Sequence, residues 1–369
     1  MLTQLAAAER APVPMPRRDK RDWRYDEKCR VIHNIRRKGQ ERMATTELSD
    51  KDKELYDRQI RVWGVEAQKR MQSCFVLVCG LHGLNCEVVK NLVLAGVNVM
   101  VQDDTNVDVT DCGSNYFLGM EDVGKNIALS SLENIKLLNN NARVECETRS
   151  LSTLDQQWFR QFNVVLLSDQ SSDEEALRIN DICRSKNIGF FWSGTFALEG
   201  WYICDLGTDF TYTSDPDKAV KKEEKKEKTM NFPSLKDILE TRWNLLQTGK
   251  SRRAPSLATK TYIQSRILAE YKSIKNDMTL SSCDLEALIE YAQKRLQENG
   301  LDPSFLDDKM QALCQGTHAC LIMISSVVGG FLAQEVQKAV SHVGEPHFNV
   351  FEFTGNDQIG ICFKAGVKE

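Results

Sequence analysis

Between an apolar run, Phe75–Cys79, and the helix-periodic stretch Leu84–Ala95 lies the loop Gly80-Leu81-His82-Gly83-Leu84-Asn85. A glycine turn between a buried strand and a helix gathers backbone N–H groups at the helix N-terminus. There the unsatisfied donors and the helix dipole favour an anion, above all a phosphate. The glycines of such a loop divide the work among a tight turn, close approach of the phosphate, and close packing of helix on strand. Gly80 and Gly83 supply the turn. His82 stands where a phosphate comes closest, and Asn85 where helix and strand need a small residue. Asp103 closes the next apolar run about 20 residues on, where an acid holds ribose hydroxyls. On these residues alone two readings stand: a decayed nucleotide loop, or an ordinary strand-to-helix packing turn. A nicotinamide-dependent oxidoreductase would use the same turn and Asp103, and the missing glycines count against it.

The elements around the loop alternate. Apolar runs at Phe75–Cys79, Val97–Gln102, Arg143–Thr148, Asn163–Leu167 and Ile188–Trp192 are separated by helical patterns at Leu84–Ala95, Val123–Leu138 and Glu174–Arg184. Strands and helices in that order imply an α/β fold: a doubly wound, mainly parallel, Rossmann-like sheet with helices on both faces. Trp201–Asp205 and Phe210–Thr213 are expected to extend the sheet, and Phe348–Phe353 with Gly360–Phe363 to form a hairpin returning to it. Residues 1–50 are polar, basic and without apolar period, which predicts a disordered leader. Met43 reads equally as a natural start and as an internal residue of a genuine basic tail. Residues 51–213 form the first part of the sheet domain, with a helix over 51–71 broken near Gly64. Residues 214–233 read as a charged linker and 234–315 as a short helical insertion without strand signal. Residues 316–369 complete the sheet domain, with Ala319–Val340 as a core helix.

A net charge of −4 gives no electrostatic reason to expect nucleic acid or an anionic membrane as partner. No apolar stretch is long enough to predict a membrane span. The twelve cysteines contain no C-x-x-C pair, and several sit inside apolar runs. This predicts reduced, buried thiols in a cytosolic or nuclear protein and no metal site.

Several segments together carry a specific resemblance. "LYDRQIRVWGVEAQKRMQSCFVLVCGLHGLNCEVVKNLVLAGV" (55–97), "NYFLGMEDVGKNIALSSLENIKLLN" (115–139), "FFWSGTFALEGW" (190–201) and "VVGGFLAQEVQKAVSHVGEPHFNVFEF" (327–353) occur in this order. The chain resembles the adenylation domain of the ubiquitin-like-protein-activating enzymes, the family that includes the bacterial ThiF and MoeB proteins. The resemblance implies two such folds paired face to face, one of which binds ATP and adenylates the C-terminal glycine of a ubiquitin-like modifier.

Departures from the motifs of active members mark this chain as a supporting half. The resemblance implies an Asn-Arg-Gln triplet after the second strand, where Ser114-Asn115-Tyr116 stands here. It also implies a Leu-Asp-Asn for magnesium, where Ser168-Asp169-Gln170 stands. Gly80, His82, Gly83, Asn85, Asp103 and Lys125 are then vestiges of a nucleotide site. ATP and magnesium are expected on the partner, with no tightly bound cofactor in this chain. Arg58, of Tyr-Asp-Arg-Gln, is implied by the resemblance to reach across the dimer to the ATP phosphates; spacing alone favours a surface helix residue in an ion pair. Arg61 is a secondary candidate. Cys283 and Cys314 of the insertion have no neighbouring motif that would make a nucleophile.

The expected partner is a larger, thiol-bearing subunit, with the modifier engaged through the complex. The expected location is the nucleus, with some cytoplasmic population. A self-sufficient ThiF/MoeB-type enzyme, a supporting subunit for another modifier (neddylation type), and a pure scaffold remain alternatives.

Overall fold

The computed structural model describes residues 48–213, 227–248, 258–275, 285–306 and 321–367. The leader up to residue 47, most of the linker, and Cys283 and Cys314 lie outside the described residues. Leu48 is buried, and Ser49 accepts from the Asp52 N–H to cap the first helix. Three short helices follow: α1 (Asp50–Leu55), α2 (Asp57–Trp63) and α3 (Val65–Ser73), the last two separated at Gly64 as the pattern predicts.

The central sheet begins with β1 (Phe75–Cys79), α4 (Gly83–Leu94), β2 (Asn98–Gln102), α5 (Ile127–Lys136) and β3 (Val144–Glu147). It continues with β4 (Val164–Ser168), α6 (Asp173–Ser185), β5 (Gly189–Phe196) and β6 (Glu199–Asp205). Then come β7 (Phe210–Thr213), β8 (Glu227–Met230), β9 (Gln247–Thr248), α7 (Ala258–Lys275), α8 (Leu285–Glu298), α9 (Ile322–Ser341), β10 (Val350–Thr354) and β11 (Ile359–Lys364).

The sheet order is β3-β2-β1-β4-β5-β6-β10-β11-β9. The first five strands are mutually parallel, and the remaining four extend them antiparallel. Successive β1 side chains face opposite ways, as strand geometry requires. Val76 and Val78 pack under α4, α5 and α9, with Val88, Ile135 and Leu332. Leu77 and Cys79 pack under α6 and the insertion, with Ile179, Tyr262 and Leu288. The insertion therefore closes one face of the sheet.

Four expectations change. The helix expected over Val123–Leu138 begins only at Ile127, because Asn126 caps it through the Leu129 N–H and Gly124 before it takes positive φ. Phe210–Thr213 leaves the main sheet and pairs with Glu227–Met230, so part of the stretch read as linker is a strand. The insertion contributes β9, two residues pairing with β11, too short to leave a pattern. The helix expected from Ala319 is described from Ile322; Ala319 and Cys320 lie outside the described residues.

Candidate functional site

Strand order reverses between β1, which turns to β2 on one side, and β4 on the other. The loop after β1 opens at this switch point, where doubly wound sheets bind their ligands. Gly80 makes the turn at φ +77°, and its N–H bonds to Gln102 O at 2.8 Å. A Cβ there would meet Ser168 Oγ at 2.3 Å, so the sharp exit depends on glycine.

Beyond Gly80 several loop groups bond within the protein. The Leu81 N–H donates to Asp103 Oδ2 at 2.8 Å, while Asp103 Oδ1 accepts from the Thr105 N–H and hydroxyl. The carboxylate expected at a ribose is thus spent on the loop and on its own turn. Asn85 folds its amide back onto Cys79 O and Gly80 O at 3.0 and 2.7 Å. Asn115 Nδ2 donates to Leu81 O at 3.0 Å, and the Tyr116 hydroxyl to Cys86 O at 3.0 Å. The two residues at the family's Arg-Gln places therefore brace the loop and the first turn of α4.

His82 sits half-buried among acids: Nδ1 is 3.4 Å from Asp111 Oδ1 and Nε2 3.7 Å from Asp103 Oδ2. Burial opposes a charge on the ring. The hydrogen bond to Asp111 and the fields of Asp103, Asp111 and Asp169 outweigh it, and the His82 pKa rises above its ordinary value. Asp111 is lowered: burial pushes it up, but the bonds from His82 and the Asp108 N–H prevail. Asp169, kept from the family's magnesium position, is raised by burial against the opposing fields of Lys272 and His82. Lys125 does not join this group. It is exposed and pairs with Asp122 at 3.1 Å.

Sequence reasoning missed Asp111. It arrives from a single helical turn (Asp111–Ser114) outside any motif; only the run Asp103, Asp104, Asp108, Asp111 hinted at an acid rim.

Arg58 lies elsewhere, on the exposed side of α2. Among the described residues it has no hydrogen-bond or ion-pair partner, whereas Arg61 pairs with Asp57 at 2.9 Å. The surface ion pair that spacing allowed for Arg58 thus belongs to Arg61. Leu55 and Val62, three residues before and four after Arg58, are exposed apolar residues on the same side of the helical path. The adjacent Gln59 lines a shallow groove of about 540 Å³ with Leu94, Val327, Gly330, Phe331 and Gln334.

That groove was also missed. The apolar Ala319–Val340 run reads as a core helix, and α9 does bury Ile324, Val328, Leu332 and Val336. Its opposite side exposes Ile322, Met323, Val327 and Phe331. One buried stripe needs fewer apolar residues than this run contains, and the excess was the available signal.

Comparison with known proteins places this arrangement. A family model described as ThiF matches residues 56–363. The chain belongs to the ThiF family. It is 33% identical over 347 residues to "SUMO-activating enzyme subunit 1" of Xenopus laevis, covering 87% of this chain and 98% of that protein. It is 32% identical over 343 residues to the human protein of the same name, covering 87% and 97%.

For a ThiF-family chain, the residues around this loop do not fit a triphosphate. The Leu81 N–H is taken by Asp103, the His82 ring occupies the loop, and three carboxylates surround the place where negative charge would go. Lys125, the cation kept in sequence, is engaged with Asp122.

Proposed function

We propose that this chain is the non-thiol subunit of a two-subunit SUMO-activating enzyme. In this reading a larger partner binds ATP and magnesium, adenylates the C-terminal glycine of SUMO and carries the thioester. This chain lends Arg58 to the partner's ATP phosphates. The observation that carries the reading is the exposed Arg58 guanidinium, without a partner among the described residues and next in sequence to the groove residue Gln59, in a chain whose own loop is lined with acid.

An arginine without a partner keeps all five donors available, and its planar fork matches phosphate oxygens. Delivered from a neighbouring subunit, it meets the charge on the departing pyrophosphate only after the two chains assemble, which couples assembly to chemistry. The exposed side of α9, with Leu94 of α4, supplies apolar surface for that assembly. The complex is placed in the nucleus, with some in the cytoplasm.

The test is ATP–pyrophosphate exchange and SUMO thioester formation by this chain alone, by a candidate thiol subunit alone, and by the co-purified pair. Exchange is expected at full rate only from the pair. SUMO adenylate formed by this chain alone would refute the reading in favour of a self-sufficient enzyme.

A further inference from the structure

The segment carrying Arg58 is anchored chiefly at one fully buried side chain, with Trp63 packed against the core at its far end and Asp52 accepting from Asn141 Nδ2 at 3.3 Å near its start. From Asp50 to Trp63 a single side chain is buried, Tyr56, and neither α1 nor α2 buries a residue. Tyr56 sits between the two helices and belongs to both. Its N–H bonds to Asp52 O at 2.9 Å, closing α1, and its carbonyl accepts the Ile60 N–H at 2.8 Å in the first turn of α2. Where the Tyr56 ring is held therefore fixes the start of α2, the end nearer Arg58, while Trp63 seats its other end.

The ring is held closely. It passes over Gly96, in the turn after α4, which lies at φ +84°. A Cβ on residue 96 would stand 2.7 Å from Tyr56 Oη and 2.8 Å from Cζ, so glycine is required both by the backbone and by the ring. Tyr56 Oη accepts a hydrogen bond from Asn139 Nδ2 at 2.9 Å. The same amide group donates its other hydrogen to Val93 O at 2.8 Å, and Asn139 Oδ1 accepts from the Asn141 N–H at 3.0 Å. Asn139 thus links the Tyr56 hydroxyl to the last turn of α4, next to the groove residue Leu94.

We infer that Tyr56 and Asn139 are positioning residues for Arg58. Among the described residues Arg58 has no partner that could aim it, so its aim comes from the backbone of α2, two residues after Tyr56. The hydroxyl–amide bond fixes that backbone against the end of α4, which also lines the groove. The arginine and the docking surface thereby share one rigid reference. Displacing a phosphate-binding group by about 1 Å can cost up to roughly a hundredfold in rate, so a loosened anchor registers in catalysis before it registers in folding. This inference rests on the assignment of Arg58 to the partner's ATP.

A double-mutant cycle in the assembled two-subunit enzyme tests it, read as ATP–pyrophosphate exchange at saturating ATP and SUMO. Tyr56→Phe keeps the ring and removes the hydroxyl. With Arg58 present, it is expected to lower kcat about three- to tenfold; with Arg58→Ala it should add less than about twofold, because there is no longer an arginine to aim. Asn139→Ser removes the linking amide while leaving Tyr56 intact, and should repeat the pattern. It also stands alone if the Tyr56 variant fails to assemble. Equal losses in both Arg58 backgrounds would overturn the inference in favour of a merely structural role. So would undiminished activity of both single variants alongside an impaired Arg58→Ala enzyme. A fully active Arg58→Ala enzyme would instead remove the assignment of Arg58, and this inference with it.

Discussion

Gly329 and Gly330 are adjacent in α9, yet the structure gives them opposite roles. Gly329 faces α4: an added Cβ would lie 2.8 Å from Glu87 Cβ and 3.1 Å from Leu84 O. Neither neighbour is the free end of a flexible side chain. Relief would require α4 to move at its first turn, which carries the degenerate loop. Gly330 faces the groove and would meet nothing within 4 Å. Alanine at either position gains about 0.5–1 kcal/mol over glycine in a helix interior. At Gly330 that gain stands alone. At Gly329 it is opposed by overpacking of about 1–3 kcal/mol, so the net effect is a destabilisation of up to about 2.5 kcal/mol. The two alanine variants should differ by about 1–3 kcal/mol in opposite directions. Urea unfolding of the isolated chain measures this directly, from a midpoint shift at constant slope. Scanning calorimetry should place Gly329→Ala a few degrees below the wild type and Gly330→Ala at or slightly above it. If Gly329→Ala proves as stable as Gly330→Ala, the close α4–α9 seam is wrong, and with it the account of what seats the loop and the groove.

Arg58→Ala in the assembled enzyme should leave the melting temperature unchanged, since the side chain has no partner among the described residues, and lower pyrophosphate exchange by about 2–4 kcal/mol of transition-state energy, thirty- to a thousandfold. Arg58→Lys should fall between, keeping charge without the fork, while Arg61→Ala stays within about threefold because it breaks only an exposed pair. His82 should titrate above 6.5 in the folded chain, read by NMR of its ring, and Asp111→Asn should bring it down. Because its folded pKa is raised, the loop's stabilisation is complete below the unfolded value and disappears as pH rises through the folded one. A ring titrating at or below 6.5 would show that burial wins over the acids.

The parallel half of the sheet was legible because buried strands between helices leave apolar runs bounded by turn residues, and β1, β2, β4 and β5 all do so. The antiparallel wing was legible only where a strand is long. Trp201–Asp205 and the C-terminal hairpin stood out, whereas two-residue β9 and the charged β8 (Glu-Lys-Thr-Met) carry no period to detect. Site residues divide on the same principle. Gly80, His82, Asn85 and Asp103 lie at fixed offsets from one strand and were found; Asp111 reaches the loop through tertiary folding and was not. Lys125 was read as a vestige, but its place beside Gly124 says nothing about which way the side chain points, and the structure turns it to Asp122.

The way the loop is spoiled also explains why its architecture persists. A phosphate-binding loop leaves its N–H groups open and its helix terminus positive, to be satisfied by the ligand. Here Asp103 takes the Leu81 N–H, Asn85 returns to the Cys79 and Gly80 carbonyls, and Asn115 holds Leu81 O. Asp103 takes one N–H that an anion could accept from, and Asn85 and Asn115 brace the loop's carbonyls, so these side chains hold the loop's shape themselves. The shape still has to be held, because the helix it starts, α4, packs through Leu84 and Glu87 on Gly329 of α9 and ends beside Tyr56. Loss of the turn would tilt α4, and with it both the groove and the anchor of the helix bearing Arg58. On the proposed reading, the loop's geometry is kept because a neighbouring chain depends on where α4 points.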